Sequence, residues 1–245
     1  MHTMNTFEIL LLIARPAAGK SEVINYLKNT PLHQRVERFH IGKMAEIDDF
    51  PMLYTWFEED GLLEEMGYPR LHTDADGYFL GNHLWNLLIE RINLEYQKKL
   101  RDIDEFEPNY TAIIEFSRGK EHGGYASAFM HLSELILEKM VVLYLDVSWE
   151  ESLRKNRKRF NPNRPDSILE HSLPDNKLKR LYKEIDWREV SASDPHYLQI
   201  KEKQVPYVVF ENEDDVTTAQ DEALGKRLEE KLSILWNLYN HRKQA

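Results

Sequence analysis

Apolar residues gather in short runs, and the stretches between most of these runs repeat at helical spacing. Residues 7–13, 110–116, 141–147 and 205–210 are nearly continuous apolar runs, as expected of strands covered on both faces. A further candidate, second in chain order, is Val36 to Ile41; its alternation predicts a strand near a sheet edge. In the stretch 82–105, Trp85, Leu88, Ile92 and Tyr96 share one helical face, and Leu132, Leu135, Ile136 and Met140 do so in 125–140. A last helix from Thr217 onward carries Leu224, Leu228, Leu232, Leu235 and Tyr239 in its stripe. Ser148-x-x-Glu151 and Thr217-x-x-Gln220 read as capping boxes. Strands alternating with helices predict an α/β fold, with a parallel sheet of about five strands flanked by helices.

Two segments are too long for simple connections. Residues 44–105 read as a substrate-binding insertion in a single domain spanning 1–245, and 149–204, polar and proline-punctuated beyond 160, as a lid region. The net charge of −10 argues against nucleic acid or an anionic membrane as the main partner. The chain has no cysteine, which excludes disulfides, thiolate nucleophiles and cysteine-ligated zinc and fits a reducing, cytoplasmic setting. The 7–13 run is too short to span a bilayer and lacks the basic flank and cleavage site of a signal peptide.

Directly after the first run comes Ala14-Arg15-Pro16-Ala17-Ala18-Gly19-Lys20-Ser21, followed by a helix with Val23, Ile24 and Leu27 on one face. A small-residue loop between strand and helix turns backbone N–H groups inward at the positive end of the helix dipole, which makes an anion site. Ala17, Ala18, Gly19, Lys20, Ser21 and Glu22 are the expected phosphate-binding positions. Gly19 allows close backbone approach, Lys20 brings a charge to the β/γ oxygens, and Ser21 offers a hydroxyl to Mg²⁺. The pattern predicts binding of ATP or another nucleoside triphosphate. Ala14 stands where glycine is usual, so the turn out of the strand must avoid positive φ at that position.

Three further constellations carry candidate chemistry. The third strand ends in Glu115-Phe116-Ser117-Arg118, and ligands in open α/β sheets sit beyond the carboxyl ends of the strands. There Glu115 can order metal-bound water or take a proton, and Arg118 can grip a phosphate or carboxylate. After the fourth strand, Arg154, Lys155, Arg157, Lys158 and Arg159 place five cations within six positions of an acidic protein. Lys155 and Arg159 are i,i+4 neighbours, with Arg157 the other candidate to neutralise phosphate charge. His40, Asp48 and Asp49 at the start of the insertion are candidates to orient an acceptor, with Tyr54, Trp56 and Phe57 as its apolar wall. Asp74-Ala75-Asp76-Gly77 fails the register of a calcium loop, and the histidines show no metal-binding spacing.

In the order of these parts the chain resembles the P-loop kinase superfamily of nucleoside and nucleoside-monophosphate kinases. Only Gly19-Lys20-Ser21 and the stretch from Asp146 to Arg159 match in detail. The resemblance implies an ATP- and Mg²⁺-dependent phosphotransferase with Lys20, Glu115, Arg118 and Arg159 as catalytic residues. It implies Ser21 and Glu115 at the metal, and Asn212, in the loop after the last strand, at the adenine. Family members usually carry two lid arginines four apart, and here the first is Lys155, a point charge without the planar fork. Deoxynucleoside kinases place arginine immediately after the strand-end acid. Arg118 lies three residues after Glu115, which does not support that subfamily. Two rival readings are an NTP hydrolase or nucleotide-state switch, and a nucleotide-binding protein without turnover.

Overall fold

The computed structural model describes residues 5–102, 110–159 and 172–244. Elements run β1 (Ile9–Ala14), α1 (Lys20–Asn29), α2 (Leu32–Phe39), β2 (Lys43–Asp48), α3 (Asp49–Glu65), α4 (His83–Asp102) and β3 (Tyr110–Phe116). Then follow α5 (Gly124–His131), α6 (Glu134–Lys139), β4 (Met140–Asp146), α7 (Trp149–Arg159), α8 (Asp175–Tyr182) and α9 (Trp187–Val190). The chain closes with β5 (Tyr197–Ile200), β6 (Lys203–Glu211), α10 (Val216–Ala219) and α11 (Glu222–Gln244). The sheet has six strands in the order β2-β3-β1-β4-β6-β5, all parallel except the antiparallel edge pair β5–β6.

Both faces of the sheet are covered, which is why β1 reads as a continuous apolar run. Its Ile9, Leu11 and Ile13 join a core with Ile92, Tyr96, Tyr125 and Leu132. Leu10, Leu12 and Ala14 face the opposite way, against Val23, Leu27, Leu228 and Leu232. A smaller third cluster, with Trp56, Trp85, Leu88, Leu178 and Tyr182, joins α3, α4 and α8 at one end of the sheet. The loop after β1 and the ends of β2 and β3 are thereby held on packed elements.

Five expectations are corrected. Val36 to Ile41 is not a strand: residues 36–39 belong to α2, whose Arg35 and Phe39 are buried one turn apart. Val36 and Phe39, three apart, share a helical face, whereas only Phe39 and Ile41 keep the two-residue spacing of a strand. Arg35 donates to Leu27 O and Gly42 O, pinning the helix. The edge strand is the polar run 43–48 instead, so the insertion begins at α3 rather than at residue 44. The 125–140 stretch breaks at Leu132, and Ser133 caps a new helix by accepting from Ile136 N. Thr217-x-x-Gln220 makes no capping box; Asp215 precedes a single turn, and Gln220 sits at φ 51° after it. Ser148 does cap α7, accepting from Glu151 N, but Glu213 rather than Glu151 accepts from Ser148 N.

The region 149–204 is not a lid throughout. It includes β5 in the sheet, and Leu178, Leu181, Tyr182 and Trp187 are buried. Asp186 accepts from Tyr125 N and Ala126 N at the start of α5, anchoring the chain just after α8. Asn161 to Pro165, and the end of the predicted 82–105 helix, lie outside the described residues.

Candidate functional site

β1 leads straight into the loop Arg15–Gly19 and then into α1. Positive φ falls on Ala17 (57°) and Gly19 (110°), not on Ala14, which ends β1 in extended backbone. The turn therefore needs its glycine at position 19 and tolerates alanine at 14. A Cβ on Gly19 would stand 2.6 Å from Thr217 Oγ1 and 2.8 Å from Asn212 Nδ2, so space as well as φ demands glycine there. Among the described residues no hydrogen bond uses the N–H of Gly19, Lys20 or Ser21, the free donors at the start of α1. Lys20 Nζ donates to Ser117 Oγ at 2.8 Å, just past the end of β3.

The β2–β3 register sets Asp48 beside Glu115 at the carboxyl edge of the sheet. Burial, with the nearby Glu115 and Asp49 charges, pushes the Asp48 carboxyl up to about 8. Two neighbouring carboxyls in a half-buried site share a proton more readily than both ionise. Asp48 also caps α3 by accepting from Phe50 N. Glu115 Oε2 is buried with no hydrogen-bond partner among the described residues. Arg118 is almost fully buried; its Nη1 donates to Asp49 Oδ2 at 2.5 Å and to Ser117 O, and its Nη2 to Trp85 O. Asp49 supplies the counter-charge that makes burial of this guanidinium tolerable. The strand ends thus gather Lys20, Asp48, Asp49, Glu115, Ser117 and Arg118.

The basic helix distributes its charges differently from the expectation. Lys155 is buried, with Nζ 2.6 Å from Asp215 Oδ1 and 3.2 Å from Thr217 Oγ1. Asn212, expected at an adenine pocket, is fully buried and donates to Ala18 O and Thr217 Oγ1. Lys155, Asp215, Thr217 and Asn212 form a strut under the loop, which they hold through the Ala18 carbonyl. Arg157 pairs with Asp175 on the surface. Arg159 is the expected lid cation that lines the cleft. His40 also falls elsewhere: it stacks on Trp236 at 4.4 Å, and its Nδ1 meets Asn5 O.

A single cleft of about 1030 Å³ runs from the loop to the insertion. Pro16, Ala17, Lys20, Ser21 and Glu22 line one part, and Asp48, Asp49, Glu115 and Arg118 another. Of the expected aromatic wall, Tyr54 and Phe57 line the cleft and Trp56 is core; Phe50, Tyr78, Phe79 and Trp85 line it as well. Ser117, His122 and Lys177 also line the cleft and have no motif of their own in the sequence. Ser117 alone carried a signal, lying between two candidate residues past a strand end. His122 stacks on Trp85 at 4.1 Å, and burial with the Arg118 and Arg180 charges depresses it to about 4, so it is neutral at physiological pH.

Among the described residues no cluster of three or more His, Cys, Asp or Glu side chains could hold a metal by itself. Among the described residues no helix is long and apolar enough to cross a membrane. No protein-family model matches the chain, and no curated protein matches it. Among solved structures, "Crystal structure of APE1195" aligns over 93% of this chain and 98% of that one, at 13% identity and a TM-score of 0.40. That likeness is too distant to define a fold family or to bear on activity.

Proposed function

We propose that the chain is a cytoplasmic P-loop phosphotransferase of the kinase type, using ATP and Mg²⁺ to phosphorylate a small-molecule acceptor. The observation that carries this reading is the joining of two unlike subsites in one cleft. One end offers free helix N-terminal donors and Lys20, and the other an aromatic wall with strand-end carboxylates. A switch or hydrolase needs the first and has no use for the second.

Gly19, Lys20 and Ser21 would hold the triphosphate through backbone N–H groups and the Lys20 ammonium, which would leave Ser117 to do so. Ser21 and Glu115 would hold Mg²⁺, which is commonly bound by one or two carboxylates together with phosphate oxygens and water. When bound, the ion supplies charge neutralisation to the transferring phosphoryl group. Asp48, held up at about 8 and so ionised only in part near neutral pH, would receive the acceptor's hydroxyl proton, with Glu115 the alternative base where it does not hold the metal. Arg118 would act by holding Asp49 and the β3 end in place, since its Nη atoms are already engaged by protein. Arg159 is the candidate to meet developing phosphoryl charge.

The test is ADP formation by the full chain with Mg²⁺ and ATP, across nucleosides, nucleotides, sugars and amino-alcohols. Stimulation by one acceptor class, with phosphate recovered on that acceptor, is the expected result. ATP turnover indifferent to every acceptor would establish a hydrolase or switch instead. Tight binding with no product in any condition would establish a nucleotide-binding protein without turnover.

A further inference from the structure

The lysines of the cleft divide by their partners. Lys28 meets Glu46 at 2.7 Å, so its charge is answered within the protein. Lys20 and Lys177 have no carboxylate within ion-pair distance among the described residues, and both line the cleft. Lys20 belongs to the phosphate loop. Lys177 lies on α8 and reaches the insertion, where Nζ donates to the Asp76 carbonyl at 2.9 Å. Its ammonium stands over the Tyr78 ring at 5.0 Å and the Phe57 ring at 5.6 Å.

This position is shaped for an ammonium group. Gly77 has φ +72°, and a Cβ there would come within 2.6 Å of Lys177 Nζ. The hairpin beneath is firmly built: Asp74 accepts from Gly77 N and Tyr78 N, and Thr73 bridges to Phe79. Thr73 is in turn held by the buried carboxylate of Asp60, which accepts from Thr73 N and Oγ1. Burial pulls the Lys177 ammonium below its usual range, more than the more distant Asp74 and Asp76 charges restore. A half-buried cation answered by one carbonyl and two ring faces keeps donor capacity for an incoming anion.

We propose that the acceptor carries an anionic group, phosphate or carboxylate, which Lys177 binds while the aromatic wall holds the acceptor's body. The inference rests on the phosphotransferase reading, since it gives the two unanswered lysines one anion each: the triphosphate at Lys20 and the acceptor at Lys177. Neutral acceptors would leave Lys177 with no role in binding.

Calorimetric titration of the full chain with phenyl phosphate, benzoate and benzyl alcohol tests it, with and without a saturating non-hydrolysable ATP analogue and Mg²⁺. A charge-assisted contact predicts that at least one anionic probe binds roughly 10-fold or more tighter than benzyl alcohol. Preference for phenyl phosphate alone identifies a phosphate-bearing acceptor, and preference for benzoate a carboxylate. Lys177→Met should abolish the preference and leave the analogue's affinity unchanged. Lys177→Arg should restore the preference, which separates lost charge from a damaged fold. Lys20→Ala should lose the analogue and keep the anionic probe. Absence of any preference in the wild type, its survival in Lys177→Met, or its loss in Lys20→Ala would each overturn the proposal. Failure of the wild type to bind the analogue would instead refute the phosphotransferase reading, and the titrations without analogue would still report on Lys177.

Discussion

Lys155→Met separates two roles for the basic helix. A cation aimed at phosphates would be dispensable for folding, whereas the structure buries Lys155 against Asp215 and Thr217. Breaking a buried pair by removing one partner typically costs about 3–5 kcal/mol. Here Asp215 keeps a fifth of its side chain exposed and retains Arg154 at 2.9 Å, so part of that cost is offset. A loss of about 2–3 kcal/mol remains, which for a chain of this size lowers the unfolding midpoint by roughly 5–10 °C. The pH dependence should change with it. Burial alone would raise the Asp215 carboxyl, but hydrogen bonds from Lys155, Thr218 and Arg154 outweigh it and hold the group down at about 2. A carboxylate depressed on folding stabilises above its unfolded pKa, and that contribution fades as pH falls toward the folded value. Without Lys155 the depression shrinks, and acid unfolding should begin at a higher pH. Circular dichroism melts between pH 3 and 7, with ATP-analogue titrations at pH 7.5, measure both effects. An unchanged melt with turnover lowered a thousandfold or more would refute the strut and restore a phosphate-facing Lys155.

Gly19→Ala meets Thr217 and Asn212 inside contact distance at φ 110°, so left-handed strain and overpacking together should cost about 2–5 kcal/mol in urea unfolding. A loss below about 1 kcal/mol would mean that the loop is free to move there. Glu115→Gln keeps shape but removes charge and basicity; turnover should fall roughly 10²–10⁴-fold with ATP affinity little changed. Normal turnover with lowered stability would make Glu115 structural. Asp48 is raised on folding, so its protonated form stabilises the chain below its unfolded pKa, and that contribution is lost as pH rises through about 8. Asp48→Asn keeps the α3 cap and should flatten stability between pH 5 and 8, and a profile identical to wild type would show that Asp48 does not titrate in that range.

The central strands and the strand-loop-helix turn at 14–21 were legible because their signals are local. A buried parallel strand has no polar face, and Gly19-Lys20-Ser21 follows one directly. β2 was not legible, because an edge strand reading Lys-Met-Ala-Glu-Ile-Asp has little apolar signature, while the neighbouring Phe39 and Ile41 imitate strand alternation just past a helix. Asp48 and Glu115 were both anticipated at the site, but their pairing depends on a register that no spacing reveals. The basic cluster misled for a physical reason. Cations on one helix point in several directions, and only packing decides that Lys155 turns down to Asp215 while Arg159 meets the cleft. Asn212 was singled out by position after the last strand, yet its amide serves the Ala18 carbonyl. Lys177 had no signal, since its place depends on α8 meeting a hairpin about a hundred residues earlier.

The central claim is that the loop at Gly19-Lys20-Ser21 holds a nucleoside triphosphate. Calorimetric titration of a non-hydrolysable ATP analogue with Mg²⁺ into the wild type and Lys20→Ala tests it most directly, with thermal melts of both as the control for folding. Among the described residues Lys20 has one hydrogen bond, to Ser117, and no carboxylate partner, so its removal should barely move the melt. The account predicts saturable one-to-one binding by the wild type, weakened by roughly two orders of magnitude or more in the variant. Equal binding by the two folded proteins, or no binding by the wild type, would contradict it.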